Sequence, residues 1–404
     1  MNEQSIALLR AGQAPAAGAS SVVAAFEGRS GPLLRLCLKN AALSLLTLFI
    51  YRFWAKTNLR RYFWGHTCIC GDFLEYTGTG KELYKGFLVA FVLLVLLSAV
   101  AGVVTPLAEA AGLPEVAAPI NLVFGFGLAS LWFAAIHRAW RYRLSRTRFR
   151  GVGMHLDGST RHFLVTAWRY TLLVVVTLGV AMPYQKIALT REIVGNARLG
   201  TSRFALPASG RDLLGAWVRH LLIVVISVAI VAAAATQDAR LAMGLGIVAV
   251  VVVIVSYVAY RVKALRYVVD RVKFGDARFA SGVRVDKVAR VILTYLASLL
   301  IVPILLFLPV VVAGSVSLAN LASGEMDMTT PGGLAAVGFI VVPAFILIMP
   351  TLKTLLLDLE LARQFFGTLT VSHPEEFDRA VQDTDASEPR QGEGLADVFG
   401  IDGI

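Results

Sequence analysis

The chain has 404 residues, 57% of them hydrophobic and only 16% charged, with a formal net charge of +11. Soluble domains carry about 25% charged residues, so this composition excludes an ordinary soluble globular protein, and three cysteines exclude a disulfide framework. The basic excess lies beside apolar runs rather than on one soluble domain, which argues against nucleic acid and for an anionic membrane surface.

Residues Met1–Ser21 carry no basic cluster leading into an apolar core and cleavage site, so no secretory signal is expected. Phe26-Glu27-Gly28 precedes a helix beginning near Pro32. Ala41–Tyr51 is a first apolar run of about a dozen residues, short of the roughly 20 that cross a bilayer. A basic, aromatic stretch follows, from Phe53-Trp54-Ala55-Lys56 to Arg60-Arg61-Tyr62-Phe63-Trp64, suited to the headgroup layer. His66–Tyr76 alternates about Gly71 and predicts a small β-hairpin. Thr79…Glu82 has the capping-box spacing that opens a helix.

Phe87–Val104 and Pro119–Ile136 are the first full-length apolar runs, joined by Thr105–Ala118, which contains no lysine or arginine. His137–Arg169 then holds eight arginines, with a second hairpin predicted at Arg146–Gly151 and Ser159 starting the next helix. Thr171–Met182 is another short run, ending at Pro183. Past the basic Tyr184–Trp217, where Ser209…Asp212 is the aspartate form of the capping box, come Val218–Ala235 and Leu241–Val258. Arg261–Arg290 is densely basic, with Ser281 expected at a helix start. Val291–Val312 and Leu334–Leu352 close the apolar series around Ser315–Gly333, again free of lysine and arginine.

Short loops rich in Lys and Arg stay in the cytoplasm, so the four basic stretches are expected there and the long runs pair as three hairpins. Full crossing by Thr171–Met182 would put its basic flanks in opposite compartments. Two arrangements follow: six spans plus two re-entrant or interfacial short helices, which the charge rule favours, or short helices that span against it.

The short helices resemble each other. Displacing the chain by about 130 residues lays Lys56 on Lys186, Arg61 on Arg191 and Gly80 on Gly210, and about 80 lays Arg61-Tyr62 on Arg141-Tyr142. Thr47-Leu48-Phe49-Ile50-Tyr51, Phe53-Trp54-Ala55-Lys56, Arg60-Arg61-Tyr62 and Tyr76-Thr77-Gly78-Thr79-Gly80-Lys81-Glu82-Leu83 resemble the YjgN-type family of bacterial inner-membrane proteins. Gly394-Leu395-Ala396-Asp397 extends the resemblance nearly to the end of the chain. It implies a bacterial inner-membrane location and brings no substrate or catalytic residue.

Motifs with chemical potential have plainer readings. Gly78-Thr79-Gly80-Lys81 lacks the spacing and the trailing hydroxyl of a phosphate loop. His66, Cys68 and Cys70 share one strand face and could hold a soft metal, yet the matching positions Arg146, Arg148 and Arg150 are not ligands, so packed cysteines are expected. The spans hold almost no ionisable group, unlike those of ion-coupled transporters. Pro303, Pro309, Pro343 and Pro350 read either as a hinge in the last hairpin or as prolines tolerated in a packed bundle.

The expected fold is an all-α multipass membrane protein, a helical bundle of repeated units with small cytoplasmic β-hairpin modules. Its expected divisions are 1–32, 33–137, 138–260, 261–357 and an acidic, disordered tail over 358–404. The expected function is a non-enzymatic scaffold or envelope component touching anionic lipid, without catalytic residue, cofactor or metal. Arg60, Arg61, Arg141, Arg146, Arg148, Arg150, Arg266 and Arg271 are the expected headgroup contacts. The alternative is a transporter or channel with a path between the helical repeats. A protein partner or homo-oligomer stays open.

Overall fold

The structure, a computed structural model, describes residues 21–322 and 330–382. Short strands alternate with helical pairs. β1 (Ser21–Val23) and β2 (Ala25–Phe26) lead into α1 (Ser30–Leu46) and α2 (Arg52–Gly65). Next come β3 (Thr67–Ile69), β4 (Asp72–Tyr76), α3 (Gly80–Ala110) and α4 (Pro114–Ser145). β5 (Thr147–Phe149), β6 (Val152–Leu156), α5 (Thr160–Val176) and α6 (Met182–Gly195) follow. Then β7 (Ala197–Leu199), β8 (Ser202–Ala205), α7 (Arg211–Ala235) and α8 (Ala239–Arg271). The last group begins with β9 (Lys273–Phe274), β10 (Ala277–Ser281), α9 (Val285–Ala322) and α10 (Thr330–Leu352). It ends with a π-helical turn (Lys353–Asp358), α11 (Leu359–Phe366), β11 (Leu369–Ser372) and a 3-10 turn (Pro374–Arg379).

The strands form one antiparallel sheet in the order β1-β11-β10-β9-β8-β7-β6-β5-β4-β3-β2. Its outermost members, β1 and β2, are consecutive in the chain and separated only by Ala24, so the sheet closes into a ring. Across the closure the Ala24 amide donates to the Leu369 carbonyl at 2.8 Å and the Glu27 amide to the His66 carbonyl at 2.9 Å. The pairing is staggered: β4 begins against β3 (Phe73 opposite Cys68) and ends against β5 (Tyr76 opposite Thr147). The N-terminal strand repeats this, with Val22 opposite Val371 and Phe26 opposite Thr67. The two chain ends therefore build the fifth strand pair. The turn of each unit is left-handed, at Cys70-Gly71 (φ 50 and 89), Arg150-Gly151 (φ 52 and 76), Gly200 (φ 55), Gly275 (φ 57) and His373 (φ 54).

Three expectations are corrected here. The hairpins are not separate modules, because a lone two-stranded hairpin is marginal in water and gains by pairing with neighbours; the five expected divisions all give strands to the one ring. The acidic stretch past 358 is ordered as far as 382, since Leu369 and Val371 alternate inward between β10 and β1; residues 383–404 lie outside the described residues. Ser281 ends strand β10, buried, instead of capping a helix.

The ring is filled. Phe149, Leu199, Phe274 and Val371 meet inside it, and Phe377 wedges in from the C-terminal turn, stacked on Phe274 at 4.9 Å and edge-on to Phe149 at 5.5 Å.

Each helix from α1 to α10 packs on the next, and α10 packs back on α1, so the helices also form a ring. Six segments are long and apolar enough to cross a membrane: Gly80–Ala108, Ala118–Ser145, Arg211–Ala235, Ala239–Arg271, Val285–Pro309 and Val341–Phe366. Their most apolar windows are at most 17% buried. A ring one helix thick with this much exposed apolar surface requires lipid around it.

The short pairs α1–α2 and α5–α6 are re-entrant in form. Thr47 Oγ1 accepts from the Tyr51 amide at 2.9 Å and Thr177 Oγ1 from the Ala181 amide at 3.0 Å, closing matching tight turns. The turn tips are apolar and bare, Leu48 being 84% and Leu178 90% exposed. Both ends of each pair join the sheet, so all basic stretches return to one side, as the charge rule favours.

Candidate functional site

The structure divides the eight expected headgroup arginines into structural and exposed groups. Arg61 donates to the Gly78 carbonyl at 2.9 Å and Arg141 to the Gly158 carbonyl at 2.6 Å. Arg191 reaches the Ala208 carbonyl and Arg363 the Gly28 carbonyl in the same way. These four arginines each stand six residues before a strand and clamp the loop where the next helix leaves the sheet. Arg60 is buried and donates to Tyr76 Oη at 3.1 Å. Arg146 pairs with Glu82 at 3.1 Å, Arg150 with Asp72 and Asp378, and Arg271 with Asp212 at 3.4 Å. Arg148 and Arg266 are exposed.

Another set of cations is exposed. Arg35 and Lys39 on α1, Lys81 and Lys85 on α3, Arg161 and Arg169 on α5, Arg211 and Arg219 on α7, and Lys287 and Arg290 on α9 are all exposed. They lie within the first three turns of the five helices that leave the sheet, with Lys81, Arg161, Arg211 and Lys287 in the first turn. A cation in a helix's first turn opposes the helix dipole by about 0.3–1 kcal/mol; Glu82, Asp212 and Asp286 share the first turns of Lys81, Arg211 and Lys287, whereas Arg161 has no acidic residue in its own first turn. Sequence counting found these residues as bulk charge; their common position became visible only once the helix starts were aligned around the ring.

The capping motifs behave unequally. Thr79 and Glu82 exchange the two bonds of a capping box, at 3.4 and 3.5 Å, whereas Asp212 accepts from Tyr267 Oη at 2.6 Å. The His66-Cys68-Cys70 set disperses. His66 Nδ1 lies 2.7 Å from the Tyr62 carbonyl oxygen, and Cys70 joins the apolar interior, where burial pushes its thiol up to about 11.

One cavity, of about 410 Å³, lies between the α1–α2 pair and the end of α10. Arg52, Lys56, Arg60 and Lys353 line it together with one carboxylate, Asp358. Phe49, Phe53, Ile346 and Pro350 supply apolar wall, and Asn40 and Ser44 neutral polar groups. Lys353 Nζ bonds both Asp358 oxygens, at 2.9 and 3.0 Å. Burial pushes the adjoining Cys37 thiol up to about 11. Pro350 removes one helix hydrogen bond, and the helix widens just beyond it into the π-helical turn, a form common at functional sites. Of the four expected hinge prolines, Pro350 alone lines this cavity; α9 runs unbroken through Pro303 and Pro309. Lys186, the counterpart of Lys56 by sequence displacement, lies over the Tyr260 ring at 5.8 Å, and burial next to Arg261 pushes it down to about 8.

Residues 22–398 match the family model described as "Bacterial protein of unknown function (DUF898)". The chain belongs to this family. Over 157 residues it is 29% identical to a protein named "Inner membrane protein YjgN" from Salmonella typhimurium, a match covering 39% of this chain and 36% of that protein. The chain thus aligns with about a third of the length of this curated relative. No solved structure matches it.

Proposed function

We propose that this protein is a non-enzymatic component of the bacterial inner membrane that holds anionic lipid against its basic, sheet-bearing side, which faces the cytoplasm. The single observation carrying this reading is the belt of exposed cations along the first three turns of all five outgoing helices. They stand where helix leaves sheet, level with the expected headgroup layer, and each is worth about 1 kcal/mol of attraction to an anionic leaflet. The recurrence of strand pair, arginine clamp and helical pair supports reading the chain as five copies of one unit, each copy presenting its cations to the same leaflet. The relative's name supports the location.

Spin-labelled lipids test this in vesicles of phosphatidylcholine and phosphatidylglycerol containing the full chain. Phosphatidylglycerol is expected to be enriched at the protein, less so in high salt. Replacing Lys81, Lys85, Arg161 and Arg169 together with glutamine removes four of the ten belt cations and lowers the enrichment by about a third to a half. Equal association of both lipids, or enrichment untouched by the quadruple change, overturns the proposal. Solute flux above that of empty vesicles, lost on substituting Pro303 or Pro343, would support transport instead.

A further inference from the structure

Lys186 on α6 is half-buried, and its ammonium lies 5.8 Å from the centre of the Tyr260 ring on α8. That distance is at the edge of the roughly 6 Å range of cation–ring contacts. Arg261, the next residue on α8, is exposed. Burial, and then the like charge of Arg261, push Lys186 down to about 8. Among the described residues no carboxylate pairs with either cation. Lys56, the counterpart of Lys186 in the first short pair, shares its cavity with Asp358, so the two copies differ in their charge balance.

A second observation falls at the same place. Tyr260 is 4% exposed, and its hydroxyl has no hydrogen-bond partner among the described residues. Its ring rests on Trp217 at 4.8 Å, in a core that joins α6, α7 and α8. A buried hydroxyl is costly to leave without an acceptor, and the contact with Lys186 uses the ring rather than the hydroxyl. Two cations and a phenol donor together suit a negative group with several acceptor oxygens. Tyr257, 43% exposed, and Arg261 stand four residues apart on one face of α8, so the place is reached from the helix surface. Lys186 precedes the end of α6 by nine residues and Arg261 the end of α8 by ten, which sets both about 14 Å from the sheet. Arg169 and Arg219 of the belt stand nine and eight residues into their helices, at nearly the same depth.

We infer that Lys186, Arg261 and Tyr260 together hold one phosphate group where α6 meets α8. The phosphate neutralises the two cations and gives the Tyr260 hydroxyl an acceptor. At this depth it comes from a phospholipid headgroup or from the aqueous phase, and the test separates the two sources. The lipid source rests on the orientation proposed above, but no belt residue takes part.

The test is amine footprinting of the full chain, purified in detergent and stripped of lipid: reductive methylation at pH 8, with Lys186 read by peptide mass spectrometry. Only the free amine reacts, and an adjoining phosphate favours the charged form, so binding slows the labelling. Dioleoyl phosphatidylglycerol is expected to slow it about tenfold, while dioleoylglycerol, with the same chains and no phosphate, leaves it unchanged. Inorganic phosphate with the same effect assigns the site to soluble phosphate; without effect, it assigns the site to lipid. R261Q and Y260F should each remove most of the protection. Y260F should also melt no lower than the parent when stripped, because it deletes a donor that bonds nothing within the protein. Protection by neither phosphate compound, equal protection by dioleoylglycerol, full protection kept in folded R261Q and Y260F, or a lower melt for stripped Y260F overturns the site. In the quadruple belt variant Lys186 should stay protected, and protection lost with the belt overturns a separate site. Lys186 protected in a protein that enriches no phosphatidylglycerol overturns the belt reading alone.

Discussion

Gly80 and Gly210 stand where α3 and α7 leave the sheet, and each lies against the backbone of a short helix. A Cβ on Gly80 would meet Trp54 Cα at 2.8 Å, and one on Gly210 would meet Tyr184 Cα at 2.6 Å. Neither neighbour is a side-chain end that can swing away. Gly80→Ala and Gly210→Ala should therefore each destabilise by about 1–3 kcal/mol through overpacking. Gly102→Ala, in open space on α3, should be neutral or mildly stabilising, since alanine outranks glycine in a helix. Thermal melts of the three variants check this, and equal melts would refute the close approach. The sequence displacement that laid Gly80 on Gly210 already marked the pair as equivalent. Their neighbours are equivalent too, since Trp54 and Tyr184 stand the same 130 residues apart, and only the packing showed that a backbone occupies the space a side chain would need.

The short helical pairs carry the element-scale question, because the hydropathy of Ala41–Tyr51 and Thr171–Met182 fits either a re-entrant helix or a strained span. Their tips settle the chain direction: the threonine-bonded turns reverse it, and both arms run back to the sheet. Cysteine placed at Leu48 or Leu178 should then resist membrane-impermeant maleimide from the periplasm in intact cells and react only after detergent. Cysteine at Asp157 or at the exposed Thr201 should be labelled only once the inner membrane is opened. Periplasmic labelling at 48 or 178 would mean that the tips emerge, and the six-span count would fail. Charge patterning favours the same arrangement, since two crossings that break the rule are dearer than two helices that turn back. The acidic tail misled for the opposite reason: composition over 358–404 hid four residues, Leu369–Ser372, whose alternation places a strand between β10 and β1.

At the scale of the whole molecule, the C-terminal turn corks the sheet ring. Phe377 enters the interior, while the Thr201 amide donates to the Val381 carbonyl at 3.0 Å and the Gly153 amide to Gln382 Oε1 at 2.8 Å across the ring's mouth. Phe377→Ala should cost about 3 kcal/mol, at the lower end for a lost aromatic because the site lies at the rim. It should also open Cys70 to maleimide, which the intact ring shields. An unchanged melt together with an unreactive Cys70 would show that the wedge does not seal the ring. By itself the sequence determined the membrane class, six helices long and apolar enough to cross, and the family, because apolar length is a local property that lipid reads directly. Only the tertiary structure decided that the hairpins close into one ring, that Arg61 and Arg141 serve as clamps, and that Arg52, Lys56 and Lys353 share a cavity. Closure joins residues at opposite ends of the chain, and an arginine looks the same in a sequence whether its partner is a carbonyl of the next loop or a phosphate in the membrane.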